Sequence, residues 1–402
     1  MKLSGLLIPL ANPCSAFPSG NPLFAEVEAV KQRVTDISSY LLSNTDFSKN
    51  IAVSPVNIFS AIKVLQKSTS GPAREELEEA FGNEDAQRFE NQITKYAGDL
   101  YELGMANKIF YRPINGSEPS TEIGQISETF DFKNPLQNPS KINDFIDEQT
   151  KGKIPQAFPK PIDPDTFFLL ISTLYFKASW TSSFSPTTIC WKMNEGPCEE
   201  RDGFVGTDHF NMFYDWDAKK PFRVLDLPLA LLKDDDRFAP DQKTFSALQI
   251  WMPDKVLQTE SDHKEFLELM NRESQSVVKK MRLGRARLFM PKFSISTELE
   301  LKTMLYDKNC TSIMNPGQHL EPIYGDNDPT TSLNEAKHIV QFDVDENGVE
   351  GAAVTAFSMM YRSFPMPVKI DRPFYFRLIL KTEDANLPEY GAPIFSGRVV
   401  NP

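Results

Sequence analysis

The chain has 402 residues, with 43 Lys and Arg against 55 Asp and Glu, a net charge of -12, 40% hydrophobic residues and four Cys. That length buries a large core without needing disulfides, and the negative balance argues against a nucleic-acid partner, because phosphates are held by clustered Lys and Arg. No Gly/Ser-rich linker, charge block or repeat divides the sequence, so residues 17–402 are expected to form one large domain.

Residues 1–16 combine Lys2, a short apolar run from Leu3 to Ala11 and the small residues of Cys14-Ser15-Ala16. They read as a cleaved secretion signal, which would place the protein outside the cell; the other reading is an N-terminal segment of a cytoplasmic protein. No later run supplies the ~20 uninterrupted apolar residues of a membrane helix, so membrane insertion is not expected. Phe24, Val27, Val30, Val34, Ile37 and Leu41 then recur at intervals of three and four, one face of a long amphipathic helix. A short strand over Asn50–Val53 follows. Ser54 and Pro55 next form an N-cap and first-turn proline for a helix that buries Ile58, Ile62 and Leu65. Gly71 and Pro72 stop it. Ala73–Phe81 and Asp85–Leu103 read as two further helices, and residues 113–141, rich in Pro, Ser, Asn and Thr, as loop.

Thr166–Phe176 is a nearly continuous apolar run, as in a strand buried on both faces. Cys190 and Cys198 bracket Gly196 and Pro197, a spacing that a disulfide could close; two free thiols are the alternative. Removal of residues 1–16 would leave Cys310 as an odd thiol. Phe222–Leu227, Phe245–Met252 and Arg287–Ile295 are strand candidates, with a helix over Lys264–Met270. The basic stretch Lys279, Lys280, Arg282, Arg285 and Arg287 alternates with Met281, Leu283 and Phe289, which favours the solvated side of a strand over a polyanion site. His338–Val344, Phe374–Leu380 and Ile394–Val400 complete the strands. Helices first and strands afterwards indicate an α+β fold. Sequons at Asn115 and Asn309 fit glycosylation on a secretory route.

Catalytic patterns are missing from this sequence. The four His, at 209, 263, 319 and 338, lie in no metal-binding spacing, and there is no nucleophile elbow or Gly-rich phosphate loop. Neither an enzyme nor a metal or cofactor is expected. The anomaly lies between Glu346 and Pro373. With a period of two, Val349, Gly351, Ala353, Thr355, Phe357 and Met359 share one face, and Glu350, Ala352, Val354, Ala356 and Ser358 the other. Such a segment could slide between two strands with its single charge on one side.

Glu346-Asn347-Gly348-Val349-Glu350-Gly351-Ala352-Ala353 resembles the hinge of the serpins, the loop-inserting serine protease inhibitors. Further stretches that resemble serpin motifs occur in order along the chain: Asn50–Ser60, Ile142–Phe145 with Gly152–Ile154, Leu174–Trp180, Met290–Phe293, His338 eight residues before Glu346, and Phe395–Pro402. The resemblance implies a single domain with three β-sheets, about eight helices and an exposed reactive-centre loop at about 346–373. It implies a hinge made of Glu346, Gly348, Val349, Glu350, Gly351, Ala352, Ala353, Val354 and Thr355. Fourteen positions after Gly348, and eleven before Pro373, lies Arg362, followed by Ser363. The implied reactive bond is therefore Arg362-Ser363, flanked by Met360, Tyr361 and Phe364. Arg suits the pocket Asp of trypsin-like proteases; Tyr361 or Met360 could instead bait chymotrypsin- or elastase-like enzymes.

The implied activity is a covalent trap of a trypsin-like serine protease by a monomer; the runner-up is a non-inhibitory carrier, storage protein or chaperone. The family's sheet-opening cluster falls on Ser54, Asn57, Ser172 and His338. Asn57 and Ser172 both depart from the family pattern, reciprocally, which suggests that Asn57 partners His338 across the gap Ser172 leaves; two independent substitutions are the alternative. Trp180 is expected beneath the point where the loop inserts, and Lys292 opposite Glu346. Residues 113–124, where the family has a helix, look poorly helical. The helix at Asp85–Leu103 carries few basic residues, so heparin activation there is not expected.

Overall fold

A computed structural model of the chain describes residues 22–84, 91, 94, 101–114, 117–193, 196–213, 220–229, 244–325, 332–349, 364–382 and 390–402. The N-terminal part holds α1 (Pro22–Ser43), β1 (Ile51–Val53), α2 (Pro55–Ser68), α3 (Gly71–Phe81), β2 (Glu102–Tyr111), α4 (Thr121–Ile126), β3 (Ser127–Thr129) and α5 (Ser140–Gln149). The middle holds β4 (Phe168–Ser179), β5 (Ser185–Trp191), β6 (Glu199–Phe213), β7 (Phe222–Pro228), β8 (Thr244–Pro253), α6 (Glu260–Lys280), β9 (Arg282–Pro291) and β10 (Phe293–Glu300). The remainder holds α7 (Leu301–Asp307), α8 (Glu321–Tyr324), β11 (Glu335–Val344), β12 (Gly348–Val349), β13 (Met366–Lys369), β14 (Phe374–Thr382) and β15 (Tyr390–Val399). This is the α+β architecture, with eight α-helices among the described residues.

In α1, Val27, Val30, Val34, Ile37 and Leu41 are buried, as their spacing predicts. The helix α2 is buried all round except at Lys67, because it lies between the two sheets. Its polar tips are satisfied inside: the Lys63 ammonium donates to the Gly82 carbonyl at 2.7 Å and the Gln66 amide to Leu77 and Gly82. The C-terminal strand β15 is tied to α1 by Arg398, a buried guanidinium that donates to the carbonyls of Leu42, Asp46 and Lys49.

A six-stranded sheet runs β10-β11-β12-β4-β2-β3. Its central strand β4 is apolar on both sides because each face meets a core. Leu170, Leu174 and Phe176 join the main cluster, whereas Leu169 and Ile171 join a second one with Ile142 and Ile146 of α5. The other nine strands form one sheet, ordered β1-β15-β14-β8-β7-β6-β9-β13 with β5 on β6. Two sheets are present among the described residues rather than three. The fifteen-residue β6 pairs β5 and β9 along part of its length and β7 at Asn211–Phe213, which makes the expected second and third sheets continuous.

Three sequence expectations need correcting. Residues 113–124 lead into a helix after all, α4, which is too short to show periodicity; it is anchored by buried Ile123 and by the Ser120 amide on the Pro322 carbonyl. The helix expected over Asp85–Leu103 lies mostly outside the described residues, and Glu102 and Leu103 belong to β2, which pairs along β4. Arg287–Ile295 is two strands, broken at Lys292.

Candidate reactive loop and sheet-opening site

Among the described residues, every pairing between β10, β11, β12, β4 and β2 of the six-stranded sheet is antiparallel except one. β4 and β11 run parallel and pair directly over Leu169–Leu174 and Glu335–Val340. At the top of these strands the pairing changes. Gly348 and Val349 form β12, which lies antiparallel to both, with Val349 opposite Val344 and Gly348 and Val349 opposite Ser179 and Ala178. The start of the expected hinge, Gly348 and Val349, thus occupies a slot between β11 and β4, and Val349 is buried there.

The turn into that slot is built by Asp345, whose carboxylate accepts from the Asn347 amide at 2.7 Å and the Gly348 amide at 3.2 Å. Gly348 has φ +156, and a Cβ added there would lie 2.2 Å from the Ala178 carbonyl oxygen. Only glycine fits so close a backbone approach. Trp180, at the end of β4, pins the turn from below: its indole N–H donates to the Asp345 carbonyl at 2.8 Å and its backbone N–H to Asn347 at 3.2 Å. Lys292, at the break between β9 and β10, meets Glu346 at 2.6 Å, and this cation holds the Glu346 carboxyl below its usual range.

Below the slot, a polar row crosses three strands on one face of the sheet: His338 of β11 opposite Ser172 of β4, and Ser172 opposite Asn107 of β2. The N-terminus of α2 sits over it. The Ser54 backbone N–H donates to His338 Nε2 at 3.0 Å, so the imidazole carries its proton on Nδ1 and donates it to Ser172 Oγ at 3.2 Å. The Asn57 amide donates to Ser172 Oγ at 2.9 Å and to the Thr173 carbonyl at 2.7 Å. Asn57 therefore does not partner His338 directly; the Ser172 hydroxyl fills the expected gap and bridges the two. Full burial lowers the His338 pKa to about 3 and keeps the ring neutral.

Asn107 is a member that the sequence reading missed, because β2 was not recognised. Its amide donates to Asn57 Oδ1 at 3.1 Å and to Ser60 Oγ at 2.8 Å, tying α2 to a third strand. A lone Asn amid Met105, Ile109 and Phe110 was the available signal.

Of the remaining candidates, Glu350, Gly351, Ala352, Ala353, Val354, Thr355, Met360, Tyr361, Arg362 and Ser363 lie outside the described residues, as do residues 1–16 and Asn115. Phe364 is fully exposed. Two residues later β13 begins, held parallel to β9. Asn309 is exposed just beyond α7, with φ 64. Cys190 and Cys198 are joined by a disulfide between β5 and the start of β6, and Cys310 is a buried thiol whose pKa burial raises to about 12.

A family profile described as Serpin (serine protease inhibitor) matches residues 39–402. The chain is 27% identical to Serpin A3-6 of Bos taurus, over 92% of this chain and 91% of that one. It is 28% identical to alpha-1-antitrypsin 1-1 of Mus musculus, over 90% and 84% respectively. Its fold matches the crystal structure of Serpin48 from the insect Tenebrio molitor with a TM-score of 0.73, at 20% identity and over 94% and 98% of the two chains. The chain therefore belongs to the serpin family of serine protease inhibitors.

Proposed function

We propose that this chain traps trypsin-like serine proteases by cleavage at Arg362-Ser363 followed by insertion of its loop between β4 and β11. The protease serine oxygen forms an ester with the Arg362 carbonyl carbon, the Arg362-Ser363 peptide bond breaks, and the proton passes to the new amine of Ser363. The cut loop then continues β12 downward. Insertion of ~14 residues at ~3.4 Å each carries the ester-linked protease on the order of 50 Å.

One observation carries this reading: the parallel pair of β4 with β11 has its upper end held apart by Gly348 and Val349 of the hinge, already antiparallel to both. A strand continuing from Val349 would exchange one parallel ladder for two antiparallel ones, which are somewhat more stable per residue. Its alternate residues Gly351, Ala353 and Thr355 are small enough to enter. The Cys190–Cys198 disulfide supports an oxidising, extracellular setting for a protein that acts as a monomer without heparin.

Incubation with trypsin tests this. An SDS-stable covalent complex, with a released fragment beginning at Ser363, is expected. Nicking without complex would reject the trap in favour of a non-inhibitory role, and cleavage elsewhere would reject Arg362.

A further inference from the structure

The outer face of the nine-stranded sheet beside β13 carries a charge opposite to that of the whole chain. β9 buries Ala286, Leu288 and Met290 and turns Leu283, Arg285, Arg287 and Phe289 outward. On its β6 side, His209 lies beside Arg285 and Thr207 beside Arg287; on its β13 side, Lys369 lies beside Phe289. The Arg287 guanidinium and the Lys369 ammonium both lie over the Phe289 ring, 5.3 and 5.9 Å from its centroid. An aromatic ring thus holds two cations in place at low conformational cost.

This strip adjoins the reactive loop. β13 starts three residues after Ser363 and is fixed to β9 from Met366 opposite Ala286 to Lys369 opposite Phe289. Three residues of extended chain span about 10 Å. A protease holding Arg362 therefore overhangs Phe364 first and then the basic strip.

We propose that Arg287, Lys369 and Phe289 form an exosite for an acidic rim beside the primed subsites of the target protease. The proposal rests on Arg362 as the scissile residue. An arginine packed on an aromatic ring is a pairing of residue types enriched at protein interfaces. A chain of net charge -12 repels a polyanion at long range, whereas a protease delivered by the loop meets the strip at contact. Charges of this kind act on the rate of encounter, and salt screens them.

The test compares the protein with an Arg287→Ser/Lys369→Ser variant; both side chains are outward-facing, so the fold is retained. The second-order rate of inhibition is measured against one trypsin with Asp and Glu around its primed subsites and another with those acids changed to Asn and Gln. The variant should inhibit the acidic trypsin about 5- to 10-fold more slowly at low salt, with the difference shrinking below about 2-fold at 0.5 M NaCl. It should inhibit the neutralised trypsin at the unaltered rate. Equal slowing of both trypsins, or no slowing, would overturn the exosite. So would a heparin-stimulated rate that the variant alone loses, which would assign the strip to a polyanion. Absence of a covalent complex with either trypsin would refute the reading of Arg362 and the exosite with it.

Discussion

Asn57 is the most heavily bonded side chain of the polar row, and its removal has a calculable cost. Asn57→Ser deletes an amide that donates at 2.9 Å to Ser172 Oγ and at 2.7 Å to the Thr173 carbonyl, and whose oxygen accepts from Asn107 at 3.1 Å. Asn57, Ser172 and Thr173 are wholly buried, so water does not replace these bonds. Asn107 keeps Ser60, but two buried groups each lose a partner, at about 1–3 kcal/mol apiece. A loss of about 3 kcal/mol is expected. Ser172→Asn alone forces a longer side chain into the packed row, at about 2 kcal/mol. In the double exchange Asn57→Ser/Ser172→Asn, the amide projects from β4 instead: its oxygen accepts from His338 Nδ1 and its nitrogen donates to the serine hydroxyl introduced on α2. Coupling of about 3 kcal/mol between neighbouring sites then leaves the double variant about 2 kcal/mol below the native protein. An unfolding entropy of about 2.1 cal/mol/K per residue over 402 residues converts these losses to about 4 °C for Asn57→Ser and about 2 °C for the double exchange. Thermal unfolding followed by circular dichroism measures both. A double variant that melts at or below the temperature of Asn57→Ser would refute the exchange of roles.

Further outcomes follow from the hinge and from the buried imidazole. Val349→Arg places a charge where the side chain is buried between β11 and β4, so trypsin should cleave the variant without forming the SDS-stable complex; retained complex formation would contradict insertion through this slot. Gly348→Ala drives a Cβ to 2.2 Å from the Ala178 oxygen and should expel β12, lowering stability by about 1–3 kcal/mol and making the hinge cleavable by a nonspecific protease. His338 has a folded pKa of about 3 against 6.5 in an unfolded chain, so below pH 6.5 the unfolded state binds the proton and the native state does not. Native stability is fully present above pH 6.5 and falls as the pH drops toward 3, by about 2 kcal/mol at pH 5. His263, lowered to about 4 by burial, adds a loss of the same sign. Comparing the melting temperature at pH 7.5 and 5 for the protein and for His338→Gln isolates the first contribution; an unchanged pH response in the variant would contradict it.

The elements legible in the sequence are those whose burial is regular. α1 shows its period because one face meets the core, β4 shows a continuous run because both faces do, and Ser54-Pro55 announces α2 because cap and proline act locally. β6 was missed because its pattern is broken at Gly203 and Gly206. A Cβ there would lie 2.5 Å from the Met290 oxygen and 2.7 Å from the Ser183 oxygen, so neighbouring chains, invisible locally, demand glycine. β2 hid because most of its length is half-exposed and shows no alternation. Ser54, Asn57, Ser172 and His338 were readable through family motifs, but Asn107 and the connectivity of the row were not. Which atom Asn57 meets depends on the register of β4 against β11, a relation between segments 166 residues apart.

On the proposed mechanism, that connectivity locates the point at which the sheet would resist opening. Ser54 grips His338 from α2, and Asn57 grips Ser172 from the same helix, so each strand has its own tether to the N-terminus of α2. Among the described residues, the hydrogen bond between Ser172 and His338 is the one side-chain link in the row that crosses from β4 to β11. On the proposed mechanism, an arriving strand moves β4 and β11 from about 4.8 Å to about 9.6 Å apart. This breaks that link and the parallel ladder beneath it. Ser54 and Asn57 share one helix terminus at hydrogen-bond distance from both strands, so α2 can follow β11 or β4, and the tether to the other strand is given up as well. The polar row therefore costs little in the closed sheet, where its hydrogen bonds join buried groups, while leaving one cross-strand side-chain bond and one tether to be given up on opening. An all-apolar row would pack the closed state as well, but it would offer an inserted backbone no partner beneath α2.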